Sequence, residues 1–100
     1  MALHRVCKQS DIFCGEGLRV ETTPAIAVFN MAGAFYAVAD QCTHAEASLA
    51  DGYMDGDTIE CPLHGAKFCL KTGEALCQPA SEPVQSFPVV LRDGLVFVDV

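Results

Sequence analysis

The sequence predicts an all-β fold, a small antiparallel β-sandwich or barrel, and three observations support that expectation. Short runs rich in Val, Ile, Phe and Ala recur along the chain, and turn residues separate them. No stretch of about a dozen residues keeps an apolar helical period between helix caps.

The first pair of runs is Ala25-Ile26-Ala27-Val28-Phe29 and Phe35-Tyr36-Ala37-Val38-Ala39, separated by Asn30-Met31-Ala32-Gly33-Ala34, which reads as a β-hairpin. Asp55-Gly56 and Thr72-Gly73 add turn signals further on. Phe87-Pro88-Val89-Val90-Leu91 and Leu95-Val96-Phe97-Val98-Asp99-Val100 flank Arg92-Asp93-Gly94. Asp-Gly tolerates the positive φ angles of a tight turn, so a second hairpin is expected there. Gln78-Pro79-Ala80-Ser81-Glu82-Pro83 is the one proline-rich passage and reads as an ordered loop, because proline cannot donate to a strand ladder. Strands this short bury their apolar faces only by closing on one another. Repeats, linkers and low-complexity segments are absent, so residues 1–100 are expected to form a single domain.

Composition narrows the function classes. Thirteen acidic against six basic residues give a formal charge of -7, which repels nucleic-acid phosphate and favours a basic protein partner. Apolar residues make up 51% of the chain, yet no uncharged apolar run reaches a membrane span. The first residues meet Gln9, Ser10 and Asp11 before any run suited to a signal peptide, so a cytoplasmic protein is expected. In that reducing setting, the six cysteines are expected as thiols or metal ligands rather than disulfides. Asp40, Glu46, Asp51, Asp55, Asp57 and Glu60 fall in one stretch without Lys or Arg, and the plain reading of such a run is a solvated loop.

Two short motifs stand out within this frame. Cys42-Thr43-His44 and Cys61-Pro62-Leu63-His64 each pair a thiol with an imidazole, and they use two of the three histidines in the chain. Taken singly, a cysteine is often a small buried hydrophobe and a histidine an ordinary surface or core group. Two thiolates and two imidazoles also satisfy tetrahedral zinc, although common zinc fingers run Cys, Cys, His, His, whereas here the order alternates.

Cys42-x-His44 with Cys61-x-x-His64-Gly65 resembles the Rieske signature, and Cys61-Pro62-Leu63-His64-Gly65-Ala66-Lys67-Phe68 carries most of the likeness. With Asp51-Gly52-Tyr53-Met54-Asp55-Gly56-Asp57 and Lys71-Thr72-Gly73-Glu74, nearly the whole chain resembles the ferredoxin components of bacterial aromatic-ring-hydroxylating dioxygenases. The resemblance implies a Rieske-like fold with a cluster-binding part of two loops, at about residues 41–80, and one Rieske-type 2Fe-2S cluster. It assigns Cys42 and Cys61 to one iron and His44 and His64 to the other. High-potential relatives add a disulfide-forming cysteine to each motif loop and place hydrogen-bond donors after the second; this chain has Ala47, Leu63, Ala66 and Phe68 at those places. Fewer donors imply a potential in the lower part of the Rieske range, near about -150 mV. Pro79 matches the proline-containing loop that covers the cluster in such domains. Cys7, Cys14, Cys69 and Cys77 have no ligand role in this pattern and read as free thiols.

The resemblance further implies a monomeric one-electron carrier between an NAD(P)H-dependent flavoprotein reductase and a Rieske oxygenase, in transient complexes and with no catalytic site of its own. A count supports the last point: an oxygen-activating iron needs two histidines and a carboxylate, and only His4 is left over. Gly15-Glu16-Gly17 is too short to suggest a nucleotide fold. Two alternatives stay open, a small Rieske subunit of an assimilatory nitrite reductase and a redox-silent zinc-stabilised interaction module.

Overall fold

A computed structural model of the chain describes residues 3–42, 47–63, 65–77 and 82–100. Their strands, in chain order, are β1 (Leu3–Lys8), β2 (Gly17–Val20), β3 (Ile26–Met31), β4 (Ala34–Ala39), β5 (Tyr53–Asp55), β6 (Thr58–Glu60), β7 (Lys67–Cys69), β8 (Ala75–Cys77), β9 (Ser86–Phe87), β10 (Val89–Arg92) and β11 (Leu95–Asp99). They form three antiparallel sheets, ordered β1-β11-β10, β2-β3-β4-β9 and β5-β6-β7-β8. The helical segments among the described residues are single 3-10 turns, Gln9–Asp11 and Leu49–Asp51, and no helix there is long and apolar enough to cross a membrane.

Both expected hairpins form, and the first is tighter than the run boundaries suggested. Met31 pairs with Ala34, which leaves Ala32 (φ 52°) and Gly33 (φ 92°) as a two-residue turn. Arg92 likewise pairs with Leu95 around Asp93 (φ 54°) and Gly94 (φ 75°). Positive φ at both central residues matches the right-handed twist of the flanking strands. At the other end of the second hairpin, Pro88 divides one apolar run between two sheets. β9 before it pairs with β4, and β10 after it pairs with β11. Proline has no N–H for either ladder, and its carbonyl accepts the Asp99 N–H at 3.0 Å.

β3 explains why its run is continuously apolar rather than alternating, because both of its faces are covered. Ile26 and Val28 pack into a base core with Ile12, Phe35, Ala37, Val96 and Val98. Ala27 and Phe29 face the opposite way, into a second core with Val38, Leu49, Ile59, Phe68, Leu70 and Val84. Each fully buried large side chain contributes about 1.5–3 kcal/mol, so this one strand joins two cores that a small domain would otherwise hold separately. Cys42 and Cys61 belong to the second core. The two motif loops are therefore not bare excursions: the second is carried by the β5-β6-β7-β8 sheet, the first by the end of β4.

Candidate metal centre

The two motif loops close in the same way. After β4, Gln41 makes a single antiparallel bridge to Ser48, and the Cys42 N–H donates to the Ala47 carbonyl at 3.0 Å. After β6, the Cys61 N–H donates to the Ala66 carbonyl at 2.7 Å, and β7 begins at the next residue. In each loop the cysteine is bonded to the carbonyl five residues on, so the two thiols leave their strands at equivalent points. His44 and His64 lie within these loops and outside the described residues, as does Glu46.

The thiols of Cys42 and Cys61 meet where the loops adjoin. Both residues are buried, at 2% and 1% exposure, and neither is in a disulfide. Burial pushes the Cys61 thiol above its ordinary range; a hydrogen bond from the Leu63 backbone counteracts that, and the adjacent Cys42 side chain, hydrogen-bonded to Cys61, pushes it up again. Two buried, unbridged thiols held side by side are costly to ionise without a cation, and a metal centre supplies the compensating charge. Their donor chemistry fits the sulfur half of a mixed sulfur and nitrogen cage. Among the described residues no group of three His, Cys, Asp or Glu side chains converges, so these two thiols are the part of the expected cage the structure describes.

The surroundings of the thiols are apolar. Leu49, Ala66 and Phe68 are fully buried in the same core, and Val84 is nearly so. Pro62 and Leu63, beside Cys61, are exposed, which leaves the second loop open to a partner. The remaining cysteines are all free: Cys7 is partly buried in the base core, Cys14 is exposed, Cys69 lies on β7, and the exposed Cys77 donates weakly to the Gly65 carbonyl at 3.7 Å. Pro79 falls outside the described residues. His4 is an exposed residue of β1, in the sheet of the base core.

The acidic stretch divides in two, which corrects the reading of it as one solvated loop. Asp51 in the 3-10 turn, Asp55 at the end of β5 and Asp57 in the turn before β6 are exposed, and Glu60 pairs with Lys67 at 3.9 Å. Asp40, in contrast, is 3% exposed. Its carboxylate accepts from the Ser48 hydroxyl and the Ala50 N–H and faces Arg19. A polar residue two positions before a motif cysteine was the available hint, but its partners lie in segments that sequence proximity does not bring together.

Comparison with known proteins agrees with this geometry. The profile of the family described as Rieske [2Fe-2S] domain matches residues 2–88. The 3-phenylpropionate/cinnamic acid dioxygenase ferredoxin subunit of Escherichia coli (strain K12) is 51% identical over 94 residues, which span 93% of this chain and 89% of that protein. Among solved structures, the ferredoxin of Sphingomonas yanoikuyae B1 superposes with a TM-score of 0.92 at 39% identity, covering 99% of both chains. A chain from the complex of reduced oxygenase and oxidized ferredoxin in carbazole 1,9a-dioxygenase superposes with the same TM-score, 0.92, at 40% identity, over 96% of this chain and 91% of that one.

Proposed function

This chain belongs to the Rieske [2Fe-2S] domain family, carrying one Rieske-type 2Fe-2S cluster, and we propose that it is the ferredoxin of a multicomponent aromatic-ring dioxygenase. In this reading residues 1–100 are one Rieske domain with its cluster-binding part at about 41–80. Cys42 and Cys61 hold one iron, and His44 and His64 hold the other. The observation that supports this most directly is the buried contact between the Cys42 and Cys61 thiols at the meeting of two identically closed loops.

A cluster of this type supplies a one-electron couple in a site whose net charge is near zero when oxidised, with potentials of about -150 to +300 mV. The polypeptide contributes the rest. The buried core around the cysteines excludes water from the sulfur side, and the exposed Pro62-Leu63 loop offers a short path to a partner surface. An NAD(P)H-dependent flavoprotein reductase delivers its two electrons singly, the carrier takes one at a time, and the terminal oxygenase receives each. No bond is made or broken on this chain, which is therefore not itself an enzyme. The related ferredoxin found in complex with its oxygenase supports the second half of that route. The 51% identity to a dioxygenase ferredoxin subunit, against 21% and 22% for two nitrite reductase small subunits, favours this reading over a nitrite reductase subunit, and membership of the Rieske [2Fe-2S] domain family favours it over zinc.

Transient complexes suit steering by charge better than tight burial. The exposed Asp51, Asp55 and Asp57 lie on and beside β5 of a chain with formal charge -7, and they are assigned the role of drawing basic patches on both partners toward the loops. A cytoplasmic location follows from the nucleotide-dependent reductase.

The test is anaerobic reconstitution with iron and sulfide, followed by absorption and EPR spectra of the reduced protein, then electron transfer from a reductase to candidate oxygenases. A brown protein with a Rieske EPR signal that is lost in His44→Ala and in His64→Ala is the expected result. Colourless, iron-free material, or an unchanged spectrum without either imidazole, overturns the ligand assignment. Transfer rates unaffected by Asp51→Lys, Asp55→Lys and Asp57→Lys together overturn the steering role.

A further inference from the structure

The two motif loops close alike at the cysteine but are anchored differently. The second loop springs from the β6-β7 ladder, with Glu60 paired to Lys67 immediately outside it, so its two limbs are held by strand pairing. The first loop leaves β4 and returns into the 3-10 turn Leu49–Asp51, and among the described residues the strand-type pairing across its base is the isolated bridge of Gln41 with Ser48. A single bridge is a weak anchor for a loop that must hold a ligand in fixed geometry.

Asp40 supplies what the ladder does not. Its backbone N–H donates to the Ala25 carbonyl at 3.0 Å, which ties it to the chain entering β3. Its backbone carbonyl accepts the Leu49 N–H at 2.7 Å. Its Oδ1 accepts from the Ser48 Oγ at 2.8 Å and from the Ala50 N–H at 3.1 Å. Three consecutive residues of the returning limb thus hang from one buried aspartate, and the middle one, Leu49, is fully buried in the core that holds Cys42 and Cys61. Oδ2 faces Arg19 Nε at 3.6 Å, while the same guanidinium lies closer, at 2.9 Å, to Glu21. Arg19 is half exposed, so its pairing with Asp40 is the weaker of the carboxylate's roles, and hydrogen-bond acceptance is the stronger.

We propose that Asp40 is a positioning residue for the metal centre: by accepting from Ser48 and Ala50 it clamps the first motif loop and holds Cys42 against Cys61. The inference rests on the assignment of Cys42 as a cluster ligand. It assigns the effect to the acceptor oxygen and not to the negative charge, and that distinction is measurable, because asparagine keeps the acceptor and drops the charge.

The experiment uses the holoprotein and follows iron release to a chelator together with the EPR spectrum of the reduced form. Asp40→Ala is expected to release iron about tenfold faster than the parent and to broaden the EPR signal, in line with the loss seen when outer-sphere partners are removed. Asp40→Asn is expected to rescue both, with release within about threefold of the parent and the parent line shape. Ser48→Ala, which removes one of the two donors to the Asp40 carboxylate, is expected to show a smaller acceleration in the same direction; it keeps the test decisive where Asp40→Ala does not accumulate. Val96→Ala, in the base core, is expected to lower the unfolding midpoint without altering the EPR line shape, which separates positioning from general destabilisation. The proposal fails where Asp40→Ala or Ser48→Ala matches the parent, and equally where Asp40→Asn is as leaky as Asp40→Ala. A parent protein that holds no cluster would instead sink the ligand assignment, so the two failures are distinguishable.

Discussion

Gly73 and Val84 are joined backbone to backbone, the Val84 N–H donating to the Gly73 carbonyl at 2.8 Å. Gly73 sits at φ +81°, and a Cβ there would overlap the Val84 carbonyl oxygen. Val84 is buried with Cys42 and Cys61, so this contact ties the turn after β7 to the core that holds the two motif cysteines. Gly73→Ala combines a left-handed backbone with a backbone collision and is expected to cost about 2 kcal/mol or more. The measurement is the urea midpoint of the holoprotein, and a midpoint equal to the parent's would show that the turn relaxes without loss.

Ala66 is fully buried beside the two cysteines, and its carbonyl closes the second loop. A serine there adds a hydroxyl donor where the present side chain has none, and donors near cluster sulfur favour the reduced state. Ala66→Ser is expected to raise the midpoint potential by tens of millivolts, read by voltammetry. A lower potential would mean that the hydroxyl turns away from the cluster and finds another acceptor.

The Cys69 thiol is more acidic than an ordinary cysteine, chiefly through the Thr72 hydroxyl, which donates to its sulfur, with help from the Thr72 and Lys71 backbone N–H groups. Burial and Asp57 oppose this only in part. Thr72 is itself oriented, since its Oγ accepts the Glu74 N–H at 3.2 Å. Alkylation by iodoacetamide at neutral pH is therefore expected to label Cys69 ahead of Cys7, with mass mapping as the readout. Thr72→Val should slow Cys69 labelling several-fold and leave Cys7 unchanged; equal rates in both proteins would refute the hydrogen-bond origin.

Cys7 behaves in the opposite way. Burial first, and the nearby Asp11 second, push its thiol above the ordinary value of 9.0. The unfolded chain then loses this proton at a lower pH than the folded one. The folded state therefore holds its full stability below pH 9.0 and loses some as the pH rises from there through the folded-state value. Cys7→Val is expected to flatten that alkaline decline in chemical denaturation measured across the range, while the parent slopes downward. An identical slope in both would assign the decline to other groups.

Much of the fold was legible because its signals are local. The Asp93-Gly94 turn, the apolar run after it and the absence of a long helix among the described residues depend on neighbouring residues alone, and each stands in the structure, whereas the run before the turn is split at Pro88. The run boundaries leave the first hairpin too long a loop, since Asn30 and Met31 are polar or flexible enough to pass for turn residues, yet pairing with Phe35 and Ala34 draws them into β3. Residue type likewise singled out Cys42 and Cys61 as candidate ligands before any geometry, because each stands in a short motif with a histidine.

By itself, then, the order of residues determined the strand-rich class and the second hairpin and marked the two thiols as candidate ligands, all of which follow from side-chain chemistry within a few positions. Only the folded chain decided that β3 would be covered on both faces, that Pro88 would hand one apolar run from sheet to sheet, and that Asp40 would be buried while Asp51, Asp55 and Asp57 stayed in water. An aspartate reads the same in sequence whether or not Ser48, Ala50 and Arg19 surround it. The difference is made by burial and by partners that long-range packing brings together.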